Sequence, residues 1–223
     1  MSLHNLIRRT IVLTCCFLPS LVSFSQELTG DISWYNDIPG FIVTLDGDTV
    51  PGVIYYENSI NAQTKVIFYK EGKKHEKTTY RADDISGYQA GQSFYSSLKY
   101  TAYNSSRRYN FIERVAGGPV SLYKWYYVEV NRAYPGEKAM EEMDLQNKEE
   151  LLYLYILMKP GGEPEDLNSR RFRNFKKSGS AYFSDCTELA GKIAAGNEGY
   201  RRVDIEKIVR EFYQCISATL KSP

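Results

Sequence analysis

The sequence predicts an α+β fold, with an N-terminal antiparallel sheet of about seven or eight strands, strongly curved or barrel-like, followed by two or three helices. Three observations predict it. Asp46-Gly47 sits between β-forming runs, a strong hairpin signal. Short β-rich runs then recur as far as residue 130. After Asp185 the apolar residues change to three- and four-residue spacing, the period of a helix.

In chain order, residues 41–45 and 49–50 form the first hairpin, and a two-residue type I′ turn sets Val43 beside Val50. Pro51-Gly52 interrupts the second strand at an edge or a bulge, and residues 53–56 resume it. Residues 65–69 and 77–81 make a second hairpin around a polar loop, and 84–88 a short strand. Residues 94–101, 109–115 and 120–130 follow, the last being the most aromatic. Residues 132–150, rich in Glu and Lys, read as a loop or insertion. Residues 151–158 are all apolar, which suits a central strand covered on both faces or a buried helix segment.

The C-terminal elements carry start and stop signals. A short helix is expected around residues 170–177. Asp185, with Glu188 three residues on, reads as the cap of a helix over 186–195 that Gly196 stops. Asp204 reads as the cap of the last helix, where Ile205, Ile208, Val209, Phe212, Cys215, Ile216 and Leu220 form an apolar stripe.

The N-terminus carries an address. Arg8 and Arg9 precede an uncharged run, residues 10–24, and Ser23 and Ser25 place small residues at −3 and −1 of a cleavage site. Residues 1–25 are read as a secretory signal peptide, with the exported form starting near Gln26. The run is shorter than the roughly 20 residues that span a bilayer. Cys15 follows Thr14 rather than a small Gly, Ala or Ser, so acylation is not expected. Beyond the leader the reading assigns residues 26–167 to the β domain and 168–223 to a helical segment packed on it as one structural unit.

Composition narrows the function. The chain holds 28 Lys+Arg and 27 Asp+Glu, and losing Arg8 and Arg9 keeps it near neutral. That excludes a phosphate-driven role, so no nucleic-acid partner is expected. No later apolar run reaches membrane-spanning length, so no transmembrane segment is expected after the leader. After the leader His75 is the sole histidine, in a Lys- and Glu-rich loop; no G-x-S-x-G, Walker loop or G-x-G-x-x-G is present. No catalytic residue, cofactor or metal is therefore assigned. The pairs Asp83-Asp84 and Glu141-Glu142 read as turn or solvated residues, and Arg170-Arg171-x-Arg173 with Lys176-Lys177 as a wet helix face.

Cys186 and Cys215, the cysteines left after the leader, are expected to form a disulfide in an oxidising compartment; two buried thiols are the alternative. The aromatics are most open to a binding role. Tyr occurs 19 times, and Trp34, Tyr35, Trp125, Tyr126 and Tyr127 are the candidate binding surface.

Gly40-Phe41-Ile42-Val43, then Gly47-Asp48-Thr49-Val50-x-Gly52-x-Ile54, with Ser184-Asp185-Cys186 and a tail near Tyr213-x-Cys215, resembles an uncharacterised family of secreted Bacteroidetes envelope proteins. Longer members of that family append an outer-membrane barrel, and none of its residues has an assigned catalytic role. The resemblance implies export to the periplasm or outer-membrane periphery of a Gram-negative bacterium. The expected function is a non-catalytic envelope interaction module with an envelope protein partner. The second reading is a glycan-binding protein or a small carboxylate-dependent hydrolase.

Overall fold

The computed structural model describes residues 36–101, 108–129 and 150–219. The leader, Trp34, Tyr35, Glu141, Glu142, the 132–150 loop up to residue 149 and Leu220 lie outside the described residues. Ten strands form one antiparallel sheet: β1 (Asp37–Val43), β2 (Thr49–Tyr55), β3 (Val66–Tyr69), β4 (Thr78–Tyr80), β5 (Gly87–Ala90), β6 (Ser93–Lys99), β7 (Tyr109–Ala116), β8 (Ser121–Glu129), β9 (Glu150–Met158) and β10 (Glu165–Asp166). Their order is β10-β9-β8-β7-β6-β5-β1-β2-β3-β4, so the sheet is open and not a barrel. The expected antiparallel sheet followed by helices is present, with more strands than expected. A strand as short as β10 leaves no period-two signal in a sequence.

The first hairpin differs from expectation by one residue. Thr44 N–H donates to Asp48 O at 2.9 Å and Gly47 N–H to Thr44 O at 3.1 Å, closing a three-residue loop. Gly47 takes the left-handed conformation, φ 91°, that ends this loop type. Ile42 therefore faces Val50, and Val43 faces Thr49. A one-residue shift exchanges the faces, so Ile42 is buried and Val43 only half-buried. Pro51 does not break β2. It stands opposite Phe41, beyond the β3 pairing that begins at Val53, so its missing N–H removes no bond to β3. Gly52 stands opposite Gly40, and the Phe68 ring lies where a Cβ on Gly52 would sit.

Cross-strand pairing builds the first core. Ile42, Ile54, Val66, Phe68, Ile85, Tyr88, Tyr95 and Phe111 bury together. Tyr88 stacks on Tyr95 at 4.7 Å and meets the edge of Phe111 at 5.0 Å, both favoured ring geometries. The strand expected from residue 84 starts later, at Gly87, because Asp84 closes a turn by accepting Arg81 N–H at 2.7 Å.

One short element went unpredicted. Asn58 Oδ1 accepts Asn61 N–H at 2.8 Å and caps α1 (Ser59–Ala62). This turn delivers Gln63 to a split in the sheet. β7 and β8 pair at Glu113–Lys124, Arg114–Tyr123 and Ala116–Leu122, with a register shift between Arg114 and Ala116. Beyond Glu113, β7 follows β6 to Lys99–Tyr109, while β8 follows β9 to Glu129–Glu150. Gln63, 1% exposed, fills the gap. Its backbone oxygen accepts Phe111 N–H at 3.0 Å. Its side chain accepts Tyr126 N–H at 2.6 Å and donates to Tyr126 O at 2.9 Å. Tyr88 O–H donates to Ala62 O at 2.7 Å and anchors the same turn.

The helices α2 (Phe175–Tyr182), α3 (Thr187–Ala195) and α4 (Ile205–Thr219) bury Phe172, Phe183, Leu189, Ile193, Ile208, Val209 and Phe212 with Val120, Leu122 and Leu157 of the sheet side. Phe183 meets Phe212 edge-on at 5.2 Å. Several boundaries move. The helix expected at 170–177 is a 3-10 turn, Arg170–Phe172, followed by α2, which Asn174 caps through Lys177 N–H. Cys186, not Asp185, is the first flanking residue of α3. Asp185 instead pairs with Lys159 at 3.0 Å and Glu188 with Lys192 at 2.8 Å, so neither carboxylate is spent on a cap. Gly196 stops α3 as expected, with φ 72°. Asp204 ends a 3-10 turn, Arg202–Asp204, and accepts Arg201 N–H at 2.9 Å, so it does not cap α4.

Cys186 and Cys215 join α3 to α4, with sulfurs 2.06 Å and Cα atoms 6.2 Å apart. Their separation is 29 residues, and closing such a loop restricts the unfolded chain by about 3–4 kcal/mol on chain-entropy arithmetic. Thiol titration of unreduced, unfolded protein is expected to find no free thiol. The Cys186→Ser/Cys215→Ser pair is expected to lose up to about that stability in urea unfolding. Gln63→Ala orphans the Tyr126 N–H and C=O, at roughly 1–3 kcal/mol each. A loss of about 2–6 kcal/mol is expected from that variant by the same measurement.

Candidate functional site

Strand alternation divides the aromatic candidates of β8. Tyr123 and Trp125 point to one face and bury with Ile112 and Ile156, flanked by Leu98, Tyr100, Tyr127 and Leu154. Tyr100 meets the Trp125 ring edge-on at 6.1 Å. Trp125, 9% exposed, is thus a core residue, and Tyr127 packs beside it. Tyr126 points to the opposite face. The three do not make one surface.

On the Tyr126 face the register sets Tyr126 opposite Tyr153 and Lys124 opposite Tyr155. The rings form an edge-to-face series, 6.1 Å from Tyr126 to Tyr153 and 5.3 Å from Tyr153 to Tyr155. Lys124 Nζ lies 4.9 Å over the Tyr153 ring and 3.1 Å from Glu206 Oε1 of α4. Tyr155 O–H donates to the same Glu206 oxygen. Tyr126 O–H donates to Glu113 Oε2, and Ser93 O–H to Glu113 Oε1 at 2.8 Å. Burial, followed by these carboxylate bonds, pushes both phenols well above the usual tyrosine range. The Tyr155 hydrogen bond, with Lys124 beside it, holds Glu206 below the usual carboxylate range. Every polar tip named here is spent on a neighbour in the fold.

Beside this ladder lies a groove of about 500 Å³ lined by residues 151–155 of β9, by Leu167 and Asn168 after β10, and by Arg202 and Val203. It gathers three of the exposed large apolar side chains of the described residues: Leu151 at 49%, Tyr153 at 48% and Val203 at 77%. This corrects the reading of residues 151–158 as a strand covered on both faces. Ile156 and Leu157 are buried and Leu152, Leu154 and Tyr155 half-buried, whereas Leu151 and Tyr153, on one face, are exposed. The cover comes from the faces: the helical layer buries Leu157 and the Trp125 cluster buries Ile156, and Leu151 and Tyr153 belong to neither cluster.

A smaller hollow of about 290 Å³ is lined by Arg81, Asp83, Arg108 and Tyr109. His75 is exposed in its hairpin loop, near the Lys73–Glu76 pair at 3.0 Å. Arg170, Arg171, Arg173, Lys176 and Lys177 are exposed, and Arg171 pairs with Glu165. Among the described residues no group of three His, Cys, Asp or Glu is placed to hold a metal ion.

Sequence reasoning did not single out Leu151, Tyr153, Arg202 or Val203 as a group. One signal was available: Val203 is an apolar residue between Arg201-Arg202 and Asp204. Compared with protein-family models, curated proteins and solved structures, the chain gives no match.

The low-held carboxylates set an acid limit. Asp37 is held low by Lys74; Glu211 is raised by burial but brought lower overall by hydrogen bonds from Lys192 and Tyr200. A carboxylate with a depressed folded pKa contributes stability that is present above its unfolded pKa and lost as pH falls through the folded one. Unfolding stability is therefore expected to fall below about pH 5. Urea unfolding at several pH values is expected to show a shallower acid slope for Glu206→Gln.

Proposed function

We propose that this chain is a non-catalytic, exported cell-envelope module that docks onto a protein partner through the β9 groove. One observation carries the reading: Leu151, Tyr153 and Val203 stand exposed together along one open strand edge instead of being scattered. Grouped apolar exposure of this kind marks association surfaces. Among the described residues the groove lining holds no carboxylate, which supports docking over carboxylate-dependent hydrolysis or sugar chemistry. Export draws support from the leader pattern, from the joined cysteines and from the resemblance to secreted envelope proteins. No helix among the described residues is long and apolar enough to cross a membrane, which says nothing of a β-barrel.

The test is site-specific photocrosslinking in intact envelopes. A benzophenone side chain at position 203 is expected to give a discrete protein adduct, and the same group at position 76 none. Leu151→Lys is expected to remove the adduct while leaving the thermal unfolding midpoint within a few degrees. Equal labelling from both positions, or none from either, would refute the docking reading.

A further inference from the structure

We infer that the outer edge of β9 binds an extended segment of another protein as an added strand, with a carboxylate on that segment meeting Arg202. This deepens the docking reading above and rests on it. Leu167 N–H donates to Tyr155 O at 2.9 Å, so the Tyr155 carbonyl points outward from β9. Along an antiparallel strand that direction recurs every second residue. Tyr153 and Leu151 therefore aim both their N–H and C=O groups at the open edge. Among the described residues no strand pairs with them there. The chain after β10 turns away, with Asn168 N–H bonded to Asp166 Oδ1 at 2.6 Å and Ser169 N–H to Asp166 O at 3.0 Å. β10 thus ends opposite Ile156, three positions short of Tyr153.

The two ends of the sheet differ. β4, at the far edge, has three residues and is flanked by Lys77 and Arg81, the usual protection of an exposed edge. β9 begins at Glu150 and is followed by Lys159, but between them residues 151–158 run uncharged for eight positions, against three in β4. An apolar edge left with unpaired backbone groups is a template for another strand.

Charge selects the occupant. Arg202 lines the groove and makes no ion pair among the described residues, while the other lining residues are uncharged. A guanidinium at the rim of an apolar groove is matched by a carboxylate. A second copy of this chain would bring another Arg202 and, among the described lining residues, no carboxylate to meet it. A foreign segment that alternates apolar residues and carries one acid satisfies the edge, the groove and Arg202 together.

The probe is an end-blocked eight-residue peptide alternating valine and threonine around one central aspartate, titrated into the exported protein. Amide hydrogen exchange at Leu151 and Tyr153 is expected to slow at least about tenfold at saturation. Backbone N-methylation of the peptide's bonding edge is expected to abolish binding. Arg202→Glu is expected to weaken the aspartate peptide about tenfold or more and to favour its lysine counterpart. Tyr153→Pro removes one outward N–H and is expected to lose binding; unchanged near-ultraviolet circular dichroism establishes that the variant folds.

Other outcomes overturn the inference and separate it from the docking reading. Binding that spares both amides, equal binding of the N-methylated peptide, or no binding while the position-203 adduct persists, overturns strand addition and leaves docking standing. Exchange that slows with protein concentration alone assigns the edge to a second copy. Exchange already slow in dilute free protein means the chain covers its own edge, and both readings fall.

Discussion

The side chain of Gln63 does for Tyr126 what a neighbouring strand would otherwise do. β7 and β8 separate after Glu113–Lys124, and a separation inside a sheet strands backbone donors and acceptors away from water. Gln63 closes the gap with its amide on one side and its backbone oxygen, accepting Phe111 N–H, on the other. An amide suits this place because it offers a donor and an acceptor, matching the C=O and N–H of one residue. Glutamate could accept from the N–H but would leave the carbonyl without a donor. With the gap closed, β8 and β9 run on as a two-stranded ribbon that owes nothing to β7. The open edge of β9 exists because that ribbon does.

The helices hold the other end of the ribbon. Leu122 and Leu157, paired across β8 and β9, are fully buried beneath α2 to α4. Two residues further along the same face, Lys124 and Tyr155 meet Glu206 at the start of α4. Another step out, Tyr126 and Tyr153 pack as rings, and Tyr153 is already half-exposed. The face therefore passes from apolar core through charged hydrogen bonds to open aromatics within four residues of strand. Lys124 belongs to this gradient: its stem covers apolar surface while its ammonium reaches Glu206 and the Tyr153 ring.

Much of the fold was legible because its signals are local. The α4 stripe predicts burial of Ile205, Ile208, Val209 and Phe212, and all four are buried. The Asp46-Gly47 hairpin was placed correctly but off by one residue, because Gly47 serves a three-residue loop as well as a two-residue one and only the register distinguishes them. Asp185 and Asp204 look like caps, yet tertiary partners, Lys159 for the first and a 3-10 turn for the second, redirect them. Gln63 was invisible for a different reason. Its partners lie 63 residues away at Tyr126, and nothing in the residues around it announces a distant break in pairing. The aromatic candidates were equally ambiguous, since a run of Trp125, Tyr126 and Tyr127 must alternate between faces and cannot say which face is covered.

The apolar run 151–158 shows how one pattern can carry two meanings. A strand buried on both faces and a strand that meets a partner from outside need the same side chains. What separates them is how far the cover extends, and here the helical layer reaches Leu157 and Tyr155 but not Tyr153 or Leu151. Beyond that point Leu151 and Tyr153 keep side chains fit for burial in a place where the described fold supplies no burial. Leaving such side chains half in water forfeits roughly 1 kcal/mol or more each relative to full burial. A folded chain could avoid that cost by placing charge at these positions, the usual protection of an exposed strand. Keeping them apolar beside unpaired backbone groups makes sense where the missing half of the contact comes from another chain.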